Sequence, residues 1–133
     1  MNKIELIREA LKARENAYAP YSGFAVGAAL LSVSDKIYHG CNVENASYPA
    51  TNCAERTALF SAVASGEREF KAIAIVGGVK GESPTQLCYP CGICRQVLSE
   101  FVSPDTFIVL VAKSETEFEE YLLRDLLPYG FTL

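Results

Sequence analysis

Two short segments constrain this chain more than any other feature: Cys53-Ala54-Glu55-Arg56 and Pro90-Cys91-Gly92-Ile93-Cys94. Each places a cysteine where a helical pattern begins. Cys53 to Ser65 carries Ala, Leu and Phe60 at helical spacing and stops at Gly66, a natural residue for ending a helix. Gly92 to Phe101 is the second predicted helix of this kind. A fold that uses both segments must bring two helix N-termini together. The free N–H groups and the dipole at such a terminus favour thiolate over thiol.

Cys53, Cys91 and Cys94 are therefore candidate ligands for one zinc ion, with a fourth position left open, as in catalytic rather than structural sites. The chain has five Cys and one His, so a centre built from several histidines is excluded. Any Ser–His or Cys–His catalysis would depend on His39 alone. An odd number of Cys in a reducing compartment reads as free thiols or metal ligands, not a disulfide framework. Three other uses of these cysteines compete. A redox dithiol wants a strand running straight into Cys-x-x-Cys, but the loop Val79 to Pro90 intervenes. An iron–sulfur arm wants a further Cys, and none follows Cys94. A closed structural zinc could recruit Cys41 or His39, but a domain this long does not need such a staple.

Glu55 favours catalysis. It lies in the first turn of the helix that Cys53 opens, where a carboxylate beside a metal-activated water can take a proton and return it to a leaving group. A dipole-stabilised Glu at a helix start is the simpler reading of Glu55 alone. A ligand-x-Glu segment followed by Pro-Cys-x-x-Cys is the signature of zinc deaminases, and it contains both.

The 133 residues suit one domain, 1–133, with a substantial core. Half of them are hydrophobic, which excludes a disordered chain. The net charge is −4 and no run of Lys or Arg exceeds one residue, so strong non-specific binding to nucleic acid is not expected. A small polar substrate fits better. The N-terminal residues 1–5 have no apolar signal core, and the longest apolar-rich stretch, Phe24 to Val33, is too short to span a membrane. A cytoplasmic protein without membrane contact is expected.

Along the chain, Lys3 to Ala17 reads as a helix capped by Asn2, with Glu5 as capping-box partner. Phe24 to Val33 reads as a strand with Phe24, Val26, Ala28 and Leu30 on one face. The small residues Ala25, Gly27 and Ala29 on the other face predict a close neighbour there. A turn at Ser34-Asp35-Lys36 and a strand from Lys36 to Val43 complete a hairpin. Lys71 to Val76 and Thr106 to Ala112 read as further strands, the former ended by Gly77-Gly78. The tail, Glu115 to Leu127, fits either a helix capped around Ser114 and Glu117 or a short strand through Tyr121–Leu123. This order implies an α/β, three-layer α-β-α sandwich with a mixed sheet.

The two cysteine segments, together with Pro20-Tyr21-Ser22-Gly23-Phe24-Ala25-Val26-Gly27, Gly40-Cys41-Asn42-Val43-Glu44-Asn45-Ala46-Ser47-Tyr48 and Leu126-Leu127-Pro128, resemble the small homotetrameric cytidine deaminases over nearly the whole chain. The resemblance implies a five-stranded sheet and hydrolysis of cytidine and 2′-deoxycytidine. It implies one Zn²⁺ per chain on Cys53, Cys91 and Cys94, with Glu55 as proton shuttle. Asn42 and Glu44 match ribose contacts, Phe24 a ring packed on the pyrimidine, and the Ala54 backbone N–H a contact to the base edge. Ala46, Tyr48 and Phe131 match contacts completed across subunits. Arg56 matches a guanidinium that donates to the zinc-site sulfurs and so draws charge from the metal. Cys41 and Cys88 match no ligand. The chain departs from the family pattern at Pro49–Asn52 and at Cys88-Tyr89, where a Ser commonly precedes the Pro-Cys. A blasticidin S deaminase shares the three Cys; Phe24 and the Asn42-x-Glu44 pair favour cytidine.

Overall fold

The computed structural model describes residues 1–133. Helix α1 (Lys3–Arg14) starts where Asn2 Oδ1 accepts the Glu5 backbone N–H at 3.0 Å, the expected N-cap bond. It buries Leu6, Ile7, Ala10 and Ala13. The helix ends at Arg14, short of the expected Ala17. Arg14 turns inward, its Nε donating to the Ala25 carbonyl at 2.9 Å and its Nη2 to the Val79 carbonyl at 2.8 Å. Tyr18 then bridges to Val43 instead of continuing the helix.

Five strands follow: β1 (Phe24–Ser32), β2 (Ile37–Cys41), β3 (Phe70–Val79), β4 (Ile108–Ala112) and β5 (Phe118–Leu122). Their order is β2-β1-β3-β4-β5. Only β3 and β4 pair in parallel, so the sheet is mixed as expected. The parallel pair requires a crossover, which contains helix α3 (Gly92–Ser99). Helix α2 (Ala54–Ala64) lies between β2 and β3 in the chain, and the short α4 (Leu123–Leu126) follows β5.

Alternate residues of each strand point to opposite faces. Ala29, Leu31, Ala74, Val76 and Leu110 pack against Leu6, Ile7 and Ala10 of α1. Ala28, Leu30, Ile73, Ile75, Val109 and Val111 pack with Ala58 and Leu59 of α2 and Leu98 of α3. Two cores on one sheet make the three-layer sandwich. Two glycines set the spacing of the layers. A Cβ on Gly27 would lie 2.1 Å from the Ala10 carbonyl of α1, and one on Gly40 would lie 2.2 Å from the Ala54 carbonyl of α2. The small-residue face of β1 thus does receive a close neighbour. Gly40 seats the first turn of α2, which carries Cys53 and Glu55, directly on the sheet.

Several expected boundaries change. β2 stops at Cys41 rather than Val43, because Val43 exchanges both backbone hydrogen bonds with Asn52, at 3.0 and 2.9 Å. β3 runs through Gly77-Gly78 to Val79, since Phe24, Ala25 and Val26 continue the ladder opposite them. Gly77 is there for close approach: its Cβ position would lie 2.8 Å from Cys88 Sγ. The tail forms strand β5 and then α4, and no helix starts at Ser114. Ser114 Oγ instead accepts from the Thr116 and Glu117 backbone N–H groups and closes the β4–β5 turn. The α3 helix and the β4 strand are each shorter than expected at one end.

Candidate metal and catalytic site

Cys53 is the N-cap residue of α2 and Cys91 the N-cap residue of α3, both with extended backbone. Cys94 lies one turn into α3, and its backbone N–H donates to Cys91 Sγ at 3.4 Å. The sequence therefore places all three thiols at two adjoining helix starts. Cys53 Sγ is 3.7 Å from Cys91 Sγ, and Cys91 Sγ is 3.3 Å from Cys94 Sγ. The three sulfurs lie within 4.8 Å of one another. An all-sulfur set at that spacing can hold one zinc ion, and it leaves a coordination position for a small molecule. Cys94 is buried while Cys91 is exposed, so the cluster opens on one side.

The electrostatics suit this use. Arg56 Nη2 donates to Cys53 Sγ at 3.2 Å. Hydrogen bonding from Cys94 first, and from Arg56 next, brings the Cys53 thiol down to about 5. The same Cys94–Cys53 bond, with burial behind it, pushes the Cys94 thiol up. Arg56 Nε is buried with no hydrogen-bond partner. That orphaned N–H beside the sulfurs fits a site that becomes more negative when zinc displaces the remaining thiol protons. Glu55 is 4% exposed. Burial raises its carboxyl to about 7, and the nearby Cys53 adds to the rise.

Cys53 and Glu55 share a cavity of about 270 Å³ with Val26, Asn42, Glu44 and Cys91, among others. The 42–44 segment reaches it because backbone hydrogen bonds hold it to Tyr18 on one side and Asn52 on the other. Asn42 Oδ1 accepts the Val26 N–H at 2.9 Å and its Nδ2 donates to the Phe24 carbonyl at 2.8 Å. Glu44 accepts from the Tyr21 and Ser22 backbone N–H groups at 3.0 and 3.1 Å, and from the Ser22 hydroxyl. The Ser22 hydroxyl, then its N–H, holds the Glu44 carboxyl below its ordinary value.

Comparison with known proteins is decisive here. The family described as the cytidine and deoxycytidylate deaminase zinc-binding region matches residues 1–110. The chain belongs to this deaminase family. A cytidine deaminase of Sporosarcina psychrophila is 49% identical over 132 residues, covering 99% of this chain and 93% of the relative. One from Halalkalibacterium halodurans is 48% identical over 132 residues, covering 99% and 96%. The crystal structure of cytidine deaminase from Burkholderia pseudomallei superposes with a TM-score of 0.88 at 51% identity, covering 98% of this chain and 100% of that one.

The deaminase fold gathers most of the residues that the sequence singled out. Cys53, Ala54, Glu55, Cys91, Asn42 and Glu44 all line the cavity. Cys94 completes the sulfur cluster behind them, and Arg56 bonds it. Phe24, Ala46, Tyr48 and Phe131 are exposed and do not line the cavity of a single chain. Tyr48 meets Tyr21 edge-on, and the Phe131 backbone exchanges hydrogen bonds with the Gln96 side chain on α3. Cavity residues not singled out as contacts are Val26, Thr51, Asn52, Cys88 and Tyr89. Their signal was adjacency, since four of them flank Cys53 or Cys91 in sequence. Val26 follows from strand alternation, on the face of Ala28 and Leu30.

Proposed function

We propose that this chain hydrolyses cytidine and 2′-deoxycytidine to uridine and 2′-deoxyuridine, releasing ammonia, in pyrimidine nucleoside salvage. One observation carries the reading. The buried Glu55 carboxyl opens onto the same cavity as Cys53 and Cys91, two of the three thiols spaced for one zinc ion, with Cys94 behind them.

Cys53, Cys91 and Cys94 would hold the zinc, which when bound supplies the Lewis acidity that makes water a nucleophile near neutral pH. Glu55 accepts the proton of that water and delivers it to N3 of the pyrimidine, which makes C4 electrophilic. Glu55 then takes the remaining proton from the new C4 hydroxyl and carries it to the amine nitrogen, which leaves C4 as ammonia. A carboxyl near 7 can perform both transfers without a large driving-force penalty. Arg56 draws electron density from the sulfurs and keeps a thiolate-rich centre acidic enough to act on water.

Asn42 and Glu44 contact the ribose hydroxyls. Their bonds to the backbone of residues 21–26 fix their positions, and each keeps unused capacity: a second amide hydrogen on Asn42, free lone pairs on Glu44. The Ala54 backbone N–H, at the helix start, orients the base edge. Phe24 packs on the pyrimidine ring, and Ala46, Tyr48 and Phe131 complete sites across subunits of a homotetramer. Support for assembly comes from large apolar side chains left exposed on one chain, among them Phe60, Ile93, Tyr48, Tyr129 and Phe131. The whole of residues 1–133 serves as one catalytic domain. No helix is long and apolar enough to cross a membrane, and a net charge of −4 suits a free nucleoside rather than nucleic acid. We place the enzyme in the cytoplasm. The test is the fall in ultraviolet absorbance of cytidine with purified, zinc-loaded protein. Conversion with release of one ammonia per cytidine is expected, and no conversion at about one zinc per chain would refute the substrate.

A further inference from the structure

Tyr89 departs from the family pattern, lines the cavity and is tied down at its far end. Its hydroxyl donates to Glu119 Oε1 at 3.1 Å. The other oxygen of Glu119 accepts from the Tyr121 hydroxyl at 2.9 Å, and the two hydroxyls are 3.4 Å apart. The two rings meet at 6.0 Å with a 58° tilt. Glu119 and Tyr121 stand on β5, opposite Val111 and Val109, whose side chains face the core under α2 and α3. Residues two apart on a strand share a face, so both point toward the side of the sheet that bears the cavity. One carboxylate thus clasps a cavity-wall tyrosine to an edge strand.

The position of that wall follows from the chemistry. Tyr89 is two residues from Cys91, while Asn42 and Glu44 lie on the β2 side of the cavity. If C4 reacts at the sulfur cluster and the ribose meets Asn42 and Glu44, the wall beside Cys91 faces the edge of the ring that carries the exocyclic amine. We infer that Tyr89, held by Glu119 and Tyr121, is a specificity-determining residue that excludes cytidines bearing a substituent on that amine. The inference rests on the cytidine reading of the site. A pocket with a mobile wall admits an extra methyl group; a clasped one rejects it, typically by about 10–200-fold per methylene-sized group.

The experiment measures kcat/KM for cytidine and for N4-methylcytidine, which hydrolyses to uridine and methylamine. It compares the wild-type protein, Tyr89→Ala, Tyr89→Phe and Glu119→Ala, all zinc-loaded. The methylated-to-plain ratio should rise by about tenfold or more in Tyr89→Ala, where the wall is gone. Tyr89→Phe and Glu119→Ala keep the ring and lose the clasp, so both should raise the ratio, by less and by similar factors. A merely structural role would lower both substrates together. A ratio unchanged across the folded variants, as judged by their melting curves, overturns the inference, and the cytidine reading then still stands on wild-type turnover. Wild-type protein inactive on cytidine itself refutes the function and this inference with it. If Tyr89→Ala does not fold, the two clasp variants decide the question.

Discussion

Arg56 Nη2 lies 3.2 Å from Cys53 Sγ, one helical turn along α2, so the helix that supplies a candidate ligand also supplies a cation that favours its thiolate. Both residues are placed by the same few bonds at the α2 N-terminus, and Cys91 and Cys94 of α3 complete the cluster around them.

The Cys94 hydrogen bond, and after it the Arg56 pairing, set the pH behaviour of Cys53 in the metal-free protein. Cys53 sits at about 5, below its ordinary 9.0, so it is ionised at neutral pH and should be alkylated there by iodoacetamide. The pH midpoint of alkylation, followed by mass spectrometry, should rise in Arg56→Ala. It should rise further in Cys94→Ala, since the Cys94 hydrogen bond is the larger cause. The sign for stability follows. The depressed Cys53 contributes fully above its unfolded value, about 9, and its contribution is lost as pH falls through about 5, while the raised Cys94 contributes below its own unfolded value and its contribution is lost as pH rises. A midpoint unmoved by either change would contradict the assigned contacts.

Gly40→Ala should disturb the site from outside it. The added methyl must displace the Ala54 carbonyl or the Ala58 backbone N–H, which lie 2.2 and 2.4 Å from its position. The overpacking should cost about 1–3 kcal/mol in denaturant unfolding. It should also weaken zinc retention against a chelator, because the first turn of α2 carries Cys53. Unfolding and chelation curves matching the wild type would show that α2 is free to shift.

Glu44→Gln separates binding from chemistry. The carboxylate accepts from two backbone N–H groups and the Ser22 hydroxyl. Its loss should raise KM for cytidine by about tenfold or more, the scale of a charge-assisted hydrogen bond. The kcat value should change little, since Glu44 does not touch the reacting atoms. A fall in kcat at constant KM would move Glu44 from ribose binding to catalysis.

The cysteine cluster and Glu55 were legible in the sequence because ligands at helix N-caps are contiguous with the helices that hold them. The hairpin and the two-faced character of β1 were legible from alternation and from Gly27. Three features were not. Gly77-Gly78 reads as a strand stop, yet β3 continues because β1 supplies the ladder and Cys88 needs the space. The tail reads equally as a helix or as a short strand near Tyr121, and pairing with β4 at the sheet edge, where exposed Glu119 and Glu120 are tolerated, decides for the strand. Asn42 and Glu44 were legible as polar residues near a site, but not as braces for the backbone of residues 21–26, a contact made only by tertiary placement.

The central claim is that Glu55 moves the protons while the three cysteines hold zinc. The most direct measurement is cytidine turnover by Glu55→Gln with its zinc content determined on the same sample. The account predicts about one zinc per chain, as in wild type, with turnover reduced about 10²–10⁴-fold. Turnover near the wild-type rate at full zinc occupancy would contradict it.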